Sequence, residues 1–110
     1  MATISYVVPV YNNQGSIRKT WEGIRALYST AMPQDDYEVI FVDDGSRDGS
    51  YVEMQEVSGE DPKVKLLRFT RNFGQVPAII AGYEAAQGDA VINISADVQD
   101  PLELTAEKAE

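Results

Sequence analysis

The sequence has no cysteine and no histidine among its 110 residues. Without cysteine, the chain cannot form a disulfide framework or a thiolate metal site. Without histidine, it lacks the commonest general base and the commonest ligand of transition metals. A metal bound by this chain must therefore be held by oxygen atoms, which favours Mg²⁺, Mn²⁺ or Ca²⁺.

Long hydrophobic runs are also absent. The apolar run at residues 4–10 is too short for the core of a signal peptide and has no basic leader. No stretch approaches the ~20 apolar residues that cross a bilayer. We therefore expect the chain as given to be soluble and cytoplasmic. Its last residues resemble the middle of a helix, which indicates a domain cut from a longer protein.

Basic residues are scarce, with 9 Lys and Arg against 18 Asp and Glu, and the net charge is −9. Nucleic acid and anionic membrane surfaces are poor partners for such a chain, because both require basic surface. A phosphate-bearing ligand is still compatible with this charge if a metal cation bridges the two.

The sequence does contain a regular alternation of two hydrophobic patterns. Short apolar runs predict four strands, at residues 4–9, 37–42, 64–69 and 90–94. Helices between successive strands imply parallel pairing with right-handed crossovers. We therefore predict one α/β domain over residues 1–110, with a Rossmann-like, mainly parallel sheet of order 3-2-1-4 and flanking helices.

Apolar residues at helical spacing predict the three helices between these strands. The first helix has one apolar face, formed by Ile17, Trp21, Ile24, Tyr28 and Ala31. In the second, Val52, Met54 and Val57 are expected to point inward. The third is marked by Val76, Ile79, Ile80 and Tyr83. We interpret Gly82 as a close packing position rather than a ligand contact. Asp100-Pro101 predicts the start of a fourth helix.

Polar clusters follow three of the predicted strands, at the ends where a doubly wound sheet has its ligand crevice. The clusters are Tyr11-Asn12-Asn13, Asp43-Asp44 and Asp97-Val98-Gln99. Because carboxylate and amide oxygens suit hard cations, the third cluster is a candidate metal site through Asp97 and Gln99. The alternative is an ordinary strand end followed by a capped helix.

The other candidate residues also have two interpretations. One of the adjacent Asp43 and Asp44 can face the crevice and accept hydrogen bonds from a ribose or a base, or the pair can form an Asp-Gly turn. Tyr11 can stack on a nucleobase or pack on the rim of the sheet. Arg71 can bind phosphate or sugar, or pair with a carboxylate. The glycine loop of dinucleotide folds, the P-loop and the nucleophile elbow are absent.

Together, four motifs resemble the family 2 glycosyltransferases, whose nucleotide-sugar-binding domain has the GT-A fold. The resemblance covers nearly the whole chain. Two motifs match the opening strand and the second-strand signature of the family: Val8-Pro9-Val10-Tyr11-Asn12 and Val42-Asp43-Asp44-Gly45-Ser46-Arg47-Asp48-Gly49-Ser50. Two others resemble the branch that transfers sugars to polyprenyl phosphates: Arg71-Asn72-Phe73-Gly74 and Ala96-Asp97-Val98-Gln99-Asp100-Pro101.

The resemblance implies a role for the residues of the first two motifs. Pro9, Tyr11 and Asn13 would line the nucleobase pocket. Asp44, with Val42 beside it, would bind the base or the ribose. Asn13 stands where the family often has an acidic residue.

The last motif would bind the diphosphate end of the donor. Ala96 and Asp97 would lie against the ribose and the diphosphate, and Asp97 and Gln99 would hold Mg²⁺ or Mn²⁺. Ser95 stands where the family often has an aspartate, so the familiar Asp-x-Asp pair keeps one carboxylate.

The function implied by the resemblance is donor binding in an inverting glycosyltransferase. Its partners would be a nucleotide-diphospho-sugar and a polyprenyl phosphate acceptor, at the cytoplasmic face of a membrane reached only through segments beyond this chain. We expect the chain alone to be inactive and to self-associate through surface that those segments cover.

Two alternatives belong to other functional classes. A phospho-receiver or other Mg-binding regulatory module also carries acidic residues at strand ends. Its acidic pair would follow strand one, and a lysine would follow a fifth strand, whereas here the pair follows strand two. An NAD-binding half-domain would need the glycine loop that the chain lacks.

Overall fold

The computed structural model describes residues 2–31 and 34–96, along which strands and helices alternate as the sequence predicts. The elements are β1 (Thr3–Val10), α1 (Ile17–Thr30), β2 (Asp36–Asp43), α2 (Ser50–Glu60), β3 (Val64–Arg68), α3 (Gln75–Ala85) and β4 (Ala90–Asn93). The helix predicted from Asp100-Pro101 lies outside the described residues. Of the helices described, none is long and apolar enough to cross a membrane.

The four strands form one parallel sheet in the order β3-β2-β1-β4. Strand β1 is central, because Tyr6 lies opposite Val39 of β2 on one side and opposite Ile92 of β4 on the other. The predicted α/β fold and its strand order are confirmed. The direction of winding reverses beside β1, and in such sheets the crevice at the carboxyl ends of the strands takes the ligand.

The larger core lies between one face of the sheet and the helices α1 and α2. Alternate residues of β1, namely Tyr6, Val8 and Val10, point into it because side chains alternate along a strand. The predicted apolar face of α1 is confirmed at Ile17, Trp21, Ile24 and Tyr28, which are all buried. The prediction is wrong at Ala31, which is exposed because α1 ends at Thr30 and Ala31 is only its cap.

Helix α2 contributes Met54 and Val57 to this core, as predicted. The prediction that Val52 also points inward is wrong, because its side chain is 58% exposed. Two residues along a helix correspond to a rotation of about 200°, so Val52 and Met54 cannot share a face. The buried face of α2 is completed by Ser50 instead.

Helix α3 covers the opposite face of the sheet and approaches it closely. Its buried residues are Ala78 and Gly82, and a Cβ atom at Gly82 would lie 2.3 Å from Val7 Cγ1. The interpretation of Gly82 as a packing position is therefore confirmed. The apolar pattern identifies this helix but not its buried face. Three of the four marker residues point outward: Val76 (66% exposed), Ile80 (54%) and Tyr83 (47%).

Candidate functional site

A cleft of about 290 Å³ lies at the carboxyl ends of the strands, where the sequence predicts the ligand crevice. Its lining brings together residues from four chain segments: Pro9, Val10, Tyr11 and Asn13; Asp44; Asn72, Gly74 and Gln75; and Ser95 after β4. Two of the predicted polar clusters therefore contribute to one cavity. The chain just before the third cluster reaches the same cavity through Ser95.

A second cleft, of about 480 Å³, lies on the other side of Tyr11. It is lined by Tyr11, Gly45, Ser46, Arg47, Arg68, Phe69, Thr70, Arg71 and Asn72. Three of these residues are arginines, although the chain carries nine basic residues in all and a net charge of −9. The ring of Tyr11 is 45% exposed and belongs to both clefts.

The buried carboxylate of Asp44 holds the loop that leads into α3. It accepts hydrogen bonds from the backbone N–H groups of Phe73 (2.7 Å) and Gly74 (3.0 Å) and from Asn72 Nδ2 (3.0 Å). Gly74 is the N-cap of α3, so the negative charge lies at the positive end of the helix dipole. Asp44 lines the first cleft while it fixes this loop.

Asp43 is the last residue of β2, and its carboxylate has different partners from that of Asp44, which follows the strand. It is fully buried, and its Oδ1 accepts a hydrogen bond from the N–H of Ser46 at 3.0 Å. Its Oδ2 has no hydrogen-bond partner among the described residues, and Arg68 Nε lies 3.6 Å away. Sequence reasoning predicted that one of the two carboxylates would face the crevice and named Asp44 as the ligand. It could not show the partners of either carboxylate, and it missed the ion pair between Asp43 and Arg68.

Arg71 lies in the second cleft, with its guanidinium 4.7 Å from the ring centre of Phe73. Within the described part of the chain it forms no ion pair with a carboxylate. The loop can approach β2 because residue 45 is glycine. A Cβ atom there would lie 2.4 Å from the carbonyl carbon of Arg71. Gly45 also adopts φ of 77°, which favours glycine.

Polar side chains that follow Asp44 bind the β1–α1 loop. They accept hydrogen bonds from its backbone N–H groups: Ser46 from Asn12 (2.9 Å), Ser50 from Asn13 (2.8 Å) and Asp48 from Gln14 (3.2 Å). Glu53 of α2 continues the series, because its carboxylate accepts from the N–H groups of Gly15 and Arg18 at the start of α1. Sequence reasoning treated this stretch as a turn and missed its role in joining the two loops.

The remaining predicted residues differ in how far they can be placed. Val42 is fully buried in the smaller core with Ile40 and Ala78. Ala96 is buried, and its carbonyl oxygen accepts a hydrogen bond from Thr20 Oγ1 at 3.3 Å. The candidate metal ligands Asp97 and Gln99 lie outside the described residues. Within those residues, no three acidic side chains are grouped to hold a metal.

A family model described as glycosyl transferase family 2 matches residues 5–108 of the chain. The matched range includes every residue that lines the two clefts. It also includes all of the described sheet except the first two residues of β1.

Two curated bacterial and phage relatives extend this finding. An uncharacterized glycosyltransferase of Bacillus subtilis, YkcC, is 44% identical over 106 residues, which are 96% of this chain and 32% of the relative. A bactoprenol glucosyl transferase of Shigella phage SfV is 41% identical over 101 residues, which are 92% of this chain and 32% of the relative. The chain thus spans about a third of the length of these relatives.

Solved structures agree with the sequence comparisons. The mannosyltransferase PcManGT of Pyrobaculum calidifontis, in complex with GDP-Man and Mn²⁺, superposes with a TM-score of 0.75 at 26% identity. The superposition covers 90% of this chain and 30% of that protein. The chain therefore has part of the GT-A fold that the sequence resembles.

Proposed function

Because the chain belongs to glycosyl transferase family 2, we propose that it is the donor-binding part of an inverting glycosyltransferase. Its ligand would be a nucleotide-diphospho-sugar. By itself the chain would bind the nucleotide without transferring the sugar, since it spans about a third of its relatives' length.

The observation that carries this proposal is the position of Tyr11 between the two clefts. An exposed aromatic ring offers a stacking surface to a nucleobase. The arginines beside it, including Arg71, offer planar donors to phosphate oxygens. In a chain of net charge −9, a cleft with three arginines favours an anionic ligand over a cationic one.

The other residues of the site receive roles from their hydrogen-bonding capacity. Pro9 and Asn13 would line the base pocket with Tyr11. Asp44 would accept a bond from the base or the ribose in addition to those from its loop, and Val42 would support it from the core. Asp43 Oδ2, which is buried and paired with Arg68, would accept a base N–H if Arg68, which lines the larger cleft, moved aside.

A divalent metal is part of the proposal. Ser95 lines the first cleft, and we expect Asp97 and Gln99, which follow it in the sequence, to act at the same cavity. One carboxylate and one amide oxygen are ligands that Mg²⁺ and Mn²⁺ accept. The relative PcManGT contains Mn²⁺, which supports a divalent cation. When bound, such a cation neutralises the charge that develops on a departing diphosphate.

The acceptor that we propose is a polyprenyl phosphate, which the name of the bactoprenol glucosyl transferase supports. A phosphate oxygen of this acceptor would attack the anomeric carbon while the bond to the nucleoside diphosphate breaks on the opposite face. The acceptor is already an anion at pH 7, so it needs little help from a general base. We expect an intact protein that acts on this lipid to work at the cytoplasmic face of a membrane.

Self-association of the isolated chain is a smaller part of the proposal. The outward residues of α3, Val76, Ile80 and Tyr83, form an apolar stripe that a monomer leaves in water. Ile80→Lys should shift the sedimentation coefficient of concentrated samples towards the monomer. An unchanged sedimentation profile would exclude this stripe as the contact.

Calorimetry with UDP and GDP, each with and without Mn²⁺, tests the proposed function. We expect one of the two nucleotides to bind, binding to weaken at least about tenfold on chelation or in Asp97→Ala, and a similar loss in Tyr11→Ala. Glu84→Ala, at an exposed position of α3, is the control and should bind as the wild type does. Binding that ignores both chelation and Asp97→Ala would contradict the metal site.

The receiver and NAD-binding alternatives are not favoured. The acidic pair follows β2 rather than β1, and the loop after β1 carries Tyr11 and Asn12 in place of a glycine-rich phosphate loop. The family match also covers the chain from residue 5 to residue 108.

A further inference from the structure

Asn12 stands between two residues of the proposed site and lines neither cleft. Its φ of 52° lies in the left-handed region, and among the described residues it is the single non-glycine residue with positive φ. This conformation is disfavoured for a residue with a Cβ atom, which crowds the following carbonyl oxygen. It persists where surrounding contacts hold it, and such positions cluster at functional sites.

Two hydrogen bonds hold Asn12, and both come from the loop after β2. Its N–H donates to Ser46 Oγ at 2.9 Å, and its Oδ1 accepts from the N–H of Arg47 at 2.9 Å. Ser46 is anchored in turn, because its N–H donates to the buried Asp43 at 3.0 Å. The backbone at Asn12 is therefore fixed to the end of β2 rather than to its own loop alone.

The residues on either side of Asn12 are also held by hydrogen bonds, one within the same loop and one to the first residue of α2. The N–H of Tyr11 donates to Asn13 Oδ1 at 2.8 Å, and the N–H of Asn13 donates to Ser50 Oγ at 2.8 Å. The ring of Tyr11 is nearly half exposed, so neighbouring side chains enclose it only in part. Its direction therefore depends on the backbone turn at Asn12.

We propose that Asn12 is a positioning residue, whose left-handed turn, held by Ser46 and Arg47, directs the ring of Tyr11 towards the base of a nucleoside diphosphate. The inference rests on the proposed function and deepens it. Asn12 acts through Tyr11 and does not touch the ligand, since it lines neither cleft.

Calorimetry with UDP and GDP in the presence of Mn²⁺ is the test. Asn12→Ala keeps the Cβ atom in the left-handed region but removes the Oδ1 acceptor that helps to hold it there, so we expect affinity about tenfold weaker. Asn12→Gly keeps the turn accessible and should recover more than half of the lost affinity on a logarithmic scale. Thermal unfolding of each variant confirms that it is folded at the temperature of the titration.

Gln14→Ala is the matched control. Gln14 Oε1 accepts a hydrogen bond from Gly49 N at 2.9 Å, so this variant also removes one contact between the same two loops. The contact lies further along the chain from Tyr11, and affinity should change less than about twofold.

A double-mutant cycle separates positioning from general loosening of the loop. In a Tyr11→Ala background, Asn12→Ala should change the residual affinity less than about twofold, because there is no ring left to direct. An equal loss in both backgrounds, or no recovery in Asn12→Gly, would overturn the inference while leaving nucleotide binding intact. Failure of the wild type to bind either nucleotide, or binding unaffected by Tyr11→Ala, would overturn the proposed function, and the inference with it.

Discussion

Two carboxylates are buried at each end of the sheet, and their partners differ between the two ends. At the amino end, Glu38 accepts hydrogen bonds from Ser5 Oγ (2.7 Å) and Gln87 N (2.9 Å) and forms an ion pair with Lys65. Asp61, before β3, accepts from Trp21 Nε1, Tyr37 OH and Lys63 N. At the carboxyl end, Asp44 is bonded to the α3 loop, whereas Asp43 Oδ2 has no hydrogen bond from any described residue.

This difference separates carboxylates that donors satisfy from Asp43, whose buried Oδ2 has only an ion pair with Arg68 at 3.6 Å. A buried charge is tolerated when donors satisfy it, and a buried acceptor without a donor costs free energy that something else must offset. At the amino end, both oxygens of Glu38 and of Asp61 have hydrogen bonds or an ion pair, so these networks explain stability. At the carboxyl end, Asp43 Oδ2 has an ion pair but no hydrogen bond from the described residues, and its partner Arg68 lines the cleft that contains three arginines.

The largest effect is expected from Asp61→Ala. Removal of this carboxylate leaves three buried or half-buried donors without a partner, so we expect a loss of about 3 kcal/mol in the free energy of unfolding. Urea unfolding measures the loss. Nucleotide affinity of the folded variant should stay within about twofold of the wild type, since Asp61 lies at the opposite end of the sheet.

The matched control for Asp61 is Glu60→Ala, which removes the neighbouring exposed carboxylate and its ion pair with Arg18. Exposed pairs contribute little, so its urea midpoint should stay near the wild-type value. Equal destabilisation by the two variants would contradict the importance given to burial at Asp61.

A smaller loss is expected from Glu38→Gln. The amide keeps one acceptor for Ser5 and Gln87 but loses the charge that pairs with Lys65, so we expect about 1–2 kcal/mol of destabilisation. Lys65→Met removes the same ion pair from its exposed side and should cost less. A lower nucleotide affinity in either variant would contradict the claim that the amino end affects stability and not binding.

Asp43→Asn tests the carboxyl end and should affect binding more than stability. The amide oxygen can still accept from Ser46, but a base N–H would meet an NH₂ group in place of Oδ2, so we expect about tenfold weaker nucleotide binding. The free energy of unfolding should change by less than about 1 kcal/mol. In contrast, Asp44→Asn should destabilise the fold, because its NH₂ group would face the N–H groups of Phe73 and Gly74. If Asp43→Asn destabilised the fold and left nucleotide binding unchanged, Asp43 would be a residue of the fold and not of the binding site.

Much of the fold was predictable because it depends on periodic burial. The period of two in β1 and the spacing of Ile17, Trp21 and Ile24 in α1 reflect large side chains packed on one face. The pattern failed at α3 because that helix packs through Ala78 and Gly82, whose small size permits a close approach. There the apolar residues are the outward ones, and periodicity alone cannot show which side a helix buries.

The candidate site was predictable only in part. Strand ends and motifs located Tyr11, Asn13 and Asp44, which the structure brings into one cleft. The sequence could not show that Asp44 binds the α3 loop or that Ser46 holds Asn12. These are hydrogen bonds between a side chain and a distant backbone group, and the choice of partner depends on how two loops meet in space.

The smallest expected effect is the dependence of stability on pH. At both carboxylates of the amino end, burial opposes the lowering of the pKa by hydrogen bonds. Burial acts to raise the pKa of Glu38, but bonds from Lys65, Gln87 and Ser5 outweigh it and hold the pKa below its ordinary value. The pKa of Asp61 is likewise lowered, since bonds from Tyr37 and Trp21 outweigh the effect of burial.

A carboxylate whose pKa is lower in the folded state stabilises that state above its unfolded pKa, and the contribution is lost as pH falls through the folded pKa. The unfolding free energy should therefore stay nearly level down to about pH 5 and decline below about pH 4.5. Urea unfolding at several pH values, followed by the fluorescence of the single tryptophan, Trp21, measures this decline. In Asp61→Asn the decline should be shallower, whereas Glu22→Gln, at an exposed position of α1, should follow the wild type. Parallel curves for Asp61→Asn and the wild type would mean that the amino end does not control acid stability, and the contrast between the two ends would then rest on the binding data alone.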